Sequence, residues 1–291
     1  MSSKVLYSVP LRTTWKMYHN WVAKYKKEDG EEFYRFMMKN YVPFHQPTIQ
    51  LAQRLSLNFW IKDYRKEFLH VWLVSKDLFD FINQVGVKNL KGIKGFLQAN
   101  GEKKQTSSDP LTGERYNFVR YDIAVHVPNL QNGFAFSYCC MPDNTITLFF
   151  QGDEGVGQIH ESQYEQAISL DTYQAREVVK NFQFAINLIC YMHCFPECVR
   201  DGVPEDSKDK KYIPKGKSVR LGIADKIADS INDKIGRKRP HHRTGYFKIL
   251  SSDFYTNKRG QVIFVKETMV NAKSKTVKMS DDSEKLSKFK E

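Results

Sequence analysis

The sequence lacks several features that define large classes of proteins. No stretch reaches the run of about 18 apolar residues that spans a bilayer, and the most apolar segment, residues 184–195, contains Asn187 and His193. The opening residues, Met-Ser-Ser-Lys-Val-Leu-Tyr, contain no apolar segment of signal-peptide length. We therefore expect a cytoplasmic protein that makes no contact with a membrane.

Nucleotide-binding and hydrolase motifs are also missing. The chain has no glycine cluster followed by Lys-Ser or Lys-Thr, and it has no dinucleotide-binding fingerprint. A serine-nucleophile elbow and a zinc-protease helix are absent as well. These absences exclude the commonest phosphate loops and hydrolase sites, and they leave the question of enzymatic activity open.

Cysteine is scarce and odd in number, with five residues at 139, 140, 190, 194 and 198. An odd count in a chain of this size argues against a disulfide framework. Zinc binding is conceivable around Cys190, His193, Cys194 and Cys198, but no Cys-x-x-Cys pair occurs. Cys190 and Cys194 lie on an apolar helical stripe, where free cysteine packs as a small hydrophobe. We predict no metal and no other cofactor.

The adjacent pair Cys139 and Cys140 is a weaker candidate for a site. On a strand, one of these side chains would point to each face. A catalytic thiol needs a neighbouring base, and the sequence indicates none.

The residues that are present predict a folded α+β protein. The chain has 291 residues, of which 41% are hydrophobic and 13% aromatic, enough for a large core. Apolar spacing predicts helices over residues 11–28, 31–41, 46–58, 76–84, 171–195 and 219–235, and strands over 68–74, 116–127, 133–140, 145–151 and 261–270. Ser75 is predicted to cap the helix over 76–84, and Asp171 to cap the helix that Pro196 ends. Residues 100–115 are predicted to form a loop. Short turns between the middle strands favour an antiparallel meander, so we expect helices packed on an antiparallel sheet, with a basic C-terminal helix and β-hairpin.

Positive charge is concentrated in the C-terminal third. The net charge is +12, and residues 200–291 carry 23 Lys and Arg against 13 Asp and Glu. We divide the chain into an α+β recognition domain (1–198), a linker (199–218), a basic helix and hairpin module (219–270) and a disordered tail (271–291). The asymmetry favours a module that binds a polyanion, although solubility alone would also explain it.

The most informative segment is residues 237–248, Arg-Lys-Arg-Pro-His-His-Arg-Thr-Gly-Tyr-Phe-Lys. It holds five Lys and Arg, two histidines and two aromatic residues. Cations attract phosphate and aromatic rings stack on bases. We predict nucleic-acid binding by Arg237, Lys238, Arg239, Arg243, Lys248, Lys258 and Arg259.

The same segment is a candidate site of catalysis. RNA cleavage without a metal needs a base, an acid and cations around the phosphorane. His241, His242 and Tyr246 are the candidate catalytic residues, with Arg243 as a stabilising cation. Adjacent residues point apart on an extended chain, which argues against both histidines serving one site. The alternatives are that they bind phosphate or pack structurally.

Residues 239–247, Arg-Pro-His-His-Arg-Thr-Gly-Tyr-Phe, also resemble a known family. They are similar to the Arg-Pro-His-x-Arg-x-Gly-His-Trp signature near the C-terminus of a type V anti-CRISPR family. The resemblance continues weakly backwards through Phe195-Pro196-Glu197 and residues 133–140. Tyr246 stands where the family has His, and Phe247 where it has Trp.

The resemblance implies a function. Members of that family destroy the mRNA of the CRISPR effector nuclease during translation and recognise the emerging polypeptide. The implied partners are RNA or mRNA, the ribosome and the nascent polypeptide of a target such as that nuclease. Two other hypotheses remain: an adaptor that binds nucleic acid or the ribosome without chemistry of its own, and a direct inhibitor of the finished effector protein.

Overall fold

The computed structural model describes residues 5–9, 12–40, 67–87, 89–105, 113, 115, 117–130, 133–141, 145–152, 155–207, 216–232, 242–243, 245–252, 255–266 and 268–269. The helices are α1 (Arg12–Tyr25), α2 (Gly30–Asn40), α3 (Lys76–Gln84), α4 (Leu90–Asn100), α5 (Glu161–Ala167), α6 (Tyr173–Cys194) and α7 (Asp225–Asn232). The strands are β1 (Leu69–Leu73), β2 (Gly86–Val87), β3 (Glu102–Gln105), β4 (Asn117–His126), β5 (Phe134–Cys140), β6 (Ile146–Gly152), β7 (Gly155–His160), β8 (Val199–Asp201), β9 (Ser218–Leu221), β10 (His242–Arg243), β11 (Tyr246–Ile249), β12 (Val262–Val265) and β13 (Thr268–Met269). The predicted helix over 46–58 and the tail from 271 lie outside the described residues.

The main sheet has the strand order β7-β6-β5-β4-β1-β9-β8, and β3 also pairs with β4. Strands β4, β5 and β6 form the predicted antiparallel meander, and β7, a strand that was not predicted, extends it by pairing with β6. By contrast, β1 runs parallel to both of its neighbours, β4 and β9. The sheet is therefore mostly antiparallel with helices packed on it, which confirms the predicted α+β class.

Both faces of this sheet are covered. One face carries Val71, Val125 and Phe136, which pack against residues of α3, α4 and α6 in the larger hydrophobic cluster. The other face carries Phe68, Ala124 and Ala135, which pack against Val9 and the aromatic residues Tyr18, Trp21 and Phe33 of α1 and α2. Alternation along β1 explains the division, because successive side chains of a strand point to opposite faces.

Two predicted helix caps fall within the described residues. Ser75 accepts a hydrogen bond from the Leu78 amide at 3.2 Å, which confirms the predicted cap of α3. At α6 the predicted cap at Asp171 is wrong by one residue. Thr172 is the N-cap and accepts from the Ala175 amide at 3.2 Å, while the Asp171 carboxylate pairs with Arg176. Pro196 follows the end of α6, as predicted.

Two segment assignments from the sequence are wrong. The predicted loop over 100–115 contains β3, a polar strand that pairs with β4. The predicted helix over 219–235 is instead strand β9 followed by the shorter helix α7. In β9 the alternating residues Val219 and Leu221 are buried in the core, and this period of two overrides the apolar steps of four that suggested a helix.

Strands β11 and β12 form an antiparallel hairpin near the C-terminus, as predicted. The other edge of β11 pairs in parallel with β2. Phe247 and Val262 of this hairpin belong to the same hydrophobic cluster as Val71 of the main sheet. The two ends of the predicted linker form β8 and the beginning of β9. The division into functional modules stays a prediction.

Candidate nucleic-acid-binding surface

The glycine and phenylalanine of the signature segment fix the hairpin to the core. A Cβ atom at Gly245 would lie 2.5 Å from Cζ of Phe264, so only glycine fits without displacing that ring. Phe247 has no exposed surface, and its ring lies 5.4 Å from that of Phe264. Phe264 in turn contacts Phe81 of α3, with ring centroids 5.5 Å apart. This part of the signature is therefore required for packing.

The alternate residues of β11 face away from the core. Tyr246 and Lys248 are half-buried, whereas Phe247 and Ile249 are buried. The connection to β12 carries Lys258 and Arg259, both exposed. It is closed by a hydrogen bond of 2.8 Å from the Gly260 amide to the Leu250 carbonyl, and Gly260 has the positive φ of 81° that favours glycine. Lys248, Lys258 and Arg259, three of the predicted cations, therefore belong to one hairpin.

The other predicted site residues are described only in part. His242 pairs with Met269 and Arg243 with Thr268 in the short β10–β13 ladder, but the structure describes no more than the backbone of these two site residues. His241, Arg237, Lys238 and Arg239 lie outside the described residues. The roles of His241, His242 and Tyr246 in catalysis stay predictions.

A groove lies beside the hairpin. Its volume is about 580 Å³, and it separates α4 from the end of β11 and the connection to β12. Residues that line it include Asn89, Lys91, Gly95, Phe96, Ser251 and Arg259. Arg259 is one of the predicted cations, whereas the residues of α4 carry no local signal of this site, because tertiary packing alone brings this helix to the hairpin.

Salt-bridge geometry separates the two lysines of α4. The Lys94 ammonium lies 2.8 Å from the Glu161 carboxylate of α5, and both side chains are largely buried. Glu161 also accepts a hydrogen bond from the Ile146 amide at 2.9 Å. Lys94 therefore anchors α4 to the meander, whereas Lys91 is exposed and lines the groove.

The cysteines occupy packing positions. Cys139, Cys140 and Cys190 are buried, and Cys194 and Cys198 are half-buried. Burial raises the pKa of the Cys194 thiol to about 12, and the thiol donates to the Val262 carbonyl at 3.1 Å. Within the described ranges, no group of three or more His, Cys, Asp or Glu residues could hold a metal ion. Core packing accounts for Cys190 and Cys194.

Sequence reasoning missed a buried pair of histidines. Nδ1 of His70 lies 2.9 Å from Nε2 of His126, between strands β1 and β4. Neither residue has exposed surface. His70 and His126 lie far apart in the chain, and only the parallel pairing of β1 with β4 brings them together. No local sequence pattern therefore indicates the pair.

No helix in the described part of the chain is long and apolar enough to cross a membrane.

Comparisons with known proteins find little. No family model matches the chain, and no curated protein sequence matches it. The crystal structure of AcrVA2, a type V anti-CRISPR, aligns over 90% of this chain and 94% of its own, with 12% identity and a TM-score of 0.36. Because this TM-score is too low to define a common fold, the likeness carries no argument about function.

Proposed function

We propose that this chain is a phage- or mobile-element-borne inhibitor of CRISPR immunity that recognises a nascent polypeptide and triggers loss of its mRNA. The signature over residues 239–247 supports the class of inhibitor. The observation that carries the proposal is the hairpin itself. Gly245 and Phe247 fix it to the core, Tyr246 and Lys248 lie on the less buried face of β11, and the connection to β12 carries the exposed Lys258 and Arg259.

The charge of the C-terminal third supports contact with RNA. Residues 200–291 carry a balance of +10, the difference between 23 basic and 13 acidic residues. Cations that neutralise phosphates release condensed counterions, so binding by this region should weaken as salt rises. Each phosphate contact removed from a single strand should lower the slope of log affinity against log salt by about 0.7. Arg239→Ala combined with Arg243→Ala should lower the slope accordingly.

Charge alone does not select one message, because phosphate contacts carry no sequence information. Selection therefore requires recognition of the nascent polypeptide elsewhere in the chain, and the aromatic-rich N-terminal part is the proposed location. Once the peptide is bound, the basic hairpin meets the attached mRNA at high effective concentration. Target choice and mRNA loss would then depend on different residues.

The test is a pull-down of ribosome–nascent-chain complexes followed by sequencing of the associated mRNA. His241→Ala and Arg243→Ala should abolish loss of the target mRNA and leave capture of the nascent chain nearly intact. Lys103→Ala is the matched control, because it removes one cation from the exposed strand β3, outside both the hairpin and the aromatic-rich N-terminal part. Loss of peptide capture in the His241 or Arg243 variants would refute the division of roles.

Cleavage assays with purified components distinguish a protein that is itself a nuclease from an adaptor that recruits one. If the wild-type protein cleaves RNA without ribosomes or host factors and His241→Ala does not, the protein is itself the nuclease. If neither cleaves, while the target mRNA is still lost in cells, the protein recruits a host nuclease. Inhibition of the finished CRISPR effector with its mRNA intact would instead establish the direct-inhibitor alternative.

A further inference from the structure

The groove between α4 and the hairpin has the form of a binding site for an extended ligand. Small residues at i, i+3 and i+7 of α4, namely Gly92, Gly95 and Ala99, face this groove. A Cβ atom at Gly95 would meet no heavy atom within 4 Å, so the groove is open at that point. Its volume of about 580 Å³ falls in the range of small-molecule sites, roughly 300–1,000 Å³.

The described residues that line the groove carry charge of one sign. Among them, Lys91 on the helix and Arg259 on the hairpin lie on opposite sides, and none is Asp or Glu. Asn89, Asn100 and Ser251 add uncharged hydrogen-bonding groups. This combination complements an anion that also carries polar groups.

An aromatic ring completes the wall. Phe96 is half-buried, and its ring meets that of His193 edge-on, with centroids 5.0 Å apart and an interplanar angle of 88°. This contact and the core beneath hold the ring in place. A basic groove with an aromatic side chain is the arrangement that binds single-stranded nucleic acid, whose bases stack on the ring while cations contact the backbone.

We propose that this groove binds single-stranded RNA, with Lys91 and Arg259 contacting phosphates and Phe96 stacking on a base. This inference rests on the proposed function and deepens it. It extends the RNA-binding surface beyond the basic C-terminal third to helix α4. The groove is expected to bind a short stretch of RNA without sequence preference, since all bases present a π-face.

The test uses the full-length protein and a short fluorescein-labelled oligouridine, with affinity measured by fluorescence anisotropy over a salt series. Gly95→Leu is the decisive variant, because it fills the groove, leaves the charge unchanged and raises helix propensity. It should weaken binding about tenfold, the effect of losing one stacked base, without lowering the melting temperature. Lys91→Ala should weaken binding and reduce the salt slope by about 0.7. Lys16→Ala, which removes one cation from the exposed surface of α1, should do neither.

The outcomes separate this inference from the function on which it rests. If Gly95→Leu and Lys91→Ala bind as wild type does, while Lys258→Ala or Arg259→Ala weakens binding, the groove is refuted and the basic hairpin stands. If the groove variants lose RNA binding while the wild-type protein binds RNA but depletes no target mRNA in cells, the groove stands and the proposed function fails. An oligoglutamate peptide that binds in place of RNA, with the same dependence on Gly95 and Lys91, would overturn the assignment to nucleic acid.

Discussion

Nδ1 of His126 lies 2.7 Å from the carbonyl oxygen of Ser8. A carbonyl only accepts, so Nδ1 carries the proton and Nε2 is left as the acceptor for Nδ1–H of His70 at 2.9 Å. The indole of Trp72 stacks on the His126 ring at 4.1 Å. The hydrogen bonds therefore join the segment 5–9 to strands β4 and β1 while His126 is neutral. If Nε2 of His126 were also protonated, its N–H would face the Nδ1–H of His70, and two donors would oppose each other.

The stability of the protein should consequently fall in mild acid. Burial lowers the pKa of His126 from 6.5 to about 4, and the charge of Arg12 acts in the same direction, against the hydrogen bond to Ser8. Between those values the unfolded chain binds a proton that the folded chain does not. The free energy of unfolding should therefore decrease as pH falls through this window, by up to about 1.4 kcal/mol per pH unit from this group. Urea unfolding at a series of pH values measures the slope.

His126→Gln should remove most of that pH dependence, because glutamine does not titrate. An unaltered slope in His126→Gln would assign the pH dependence to another group.

Gly245→Ala should destabilise the hairpin. The added Cβ would lie 2.5 Å from Cζ of Phe264, and displacing a packed ring costs about 1–3 kcal/mol. Gly86→Ala is the matched control, since it lies in the partner strand β2 and its Cβ would meet no heavy atom within 4 Å. Thermal unfolding should therefore separate the two variants. Equal melting temperatures would contradict the packing role assigned to Gly245.

Asn187→Ala should weaken the support beneath the same hairpin. The buried Asn187 amide of α6 donates to the carbonyls of Val85 and Ile82 at 2.7 and 3.1 Å, where α3 ends and β2 begins. Removing the donor leaves two buried carbonyls without it, which costs about 1–3 kcal/mol. Asn83→Ala is the control, because Asn83 donates only to Phe79 within its own helix and should lose less than about 1 kcal/mol. Urea denaturation measures both.

The elements predicted correctly from the sequence carry local signals. Ser75 precedes an apolar helical stripe, and the strands of the meander are adjacent in the chain and joined by short turns. Strand β3 carried no apolar signal, because its Glu102–Gln105 segment is polar and largely exposed. The parallel pairing of β1 with β9 joins residues far apart in the chain, and no local pattern specifies it.

The residues of the candidate surface also fall into two groups, those that the sequence predicts and those that only tertiary packing brings together. Clustered cations such as Lys258 and Arg259 can be recognised from the sequence, because they are adjacent in the chain and no tertiary contact is needed to bring them together. Lys91 and Phe96 belong to a helix of ordinary composition, and only the packing of α4 beside the hairpin places them with Arg259. Residues 233–241, which hold the first three positions of the signature, lie outside the described residues, so their roles rest on the sequence alone.

The five thiols should differ in reactivity according to burial. Burial raises the pKa of Cys139 and Cys194 to about 12 and that of Cys140 to about 11. These thiols are therefore protonated at neutral pH, and a thiol must ionise to react. Cys190 has no exposed surface. We therefore expect the half-buried Cys198 to react first with a thiol reagent in the native protein, and Cys190 only after unfolding. Mass spectrometry over time identifies the modified residue.

Cys198→Ser should remove the fast modification, whereas Cys190→Ser should not. The same protein, purified without chelator, should contain substoichiometric zinc by elemental analysis, because packing accounts for Cys190 and for the hydrogen bond of Cys194 to Val262. A stoichiometric metal that disappears in Cys194→Ser would overturn this account. If Cys194 and Cys198 were zinc ligands, the metal would protect both thiols from the reagent. Fast modification of Cys198 would therefore exclude full occupancy of a zinc site that includes it.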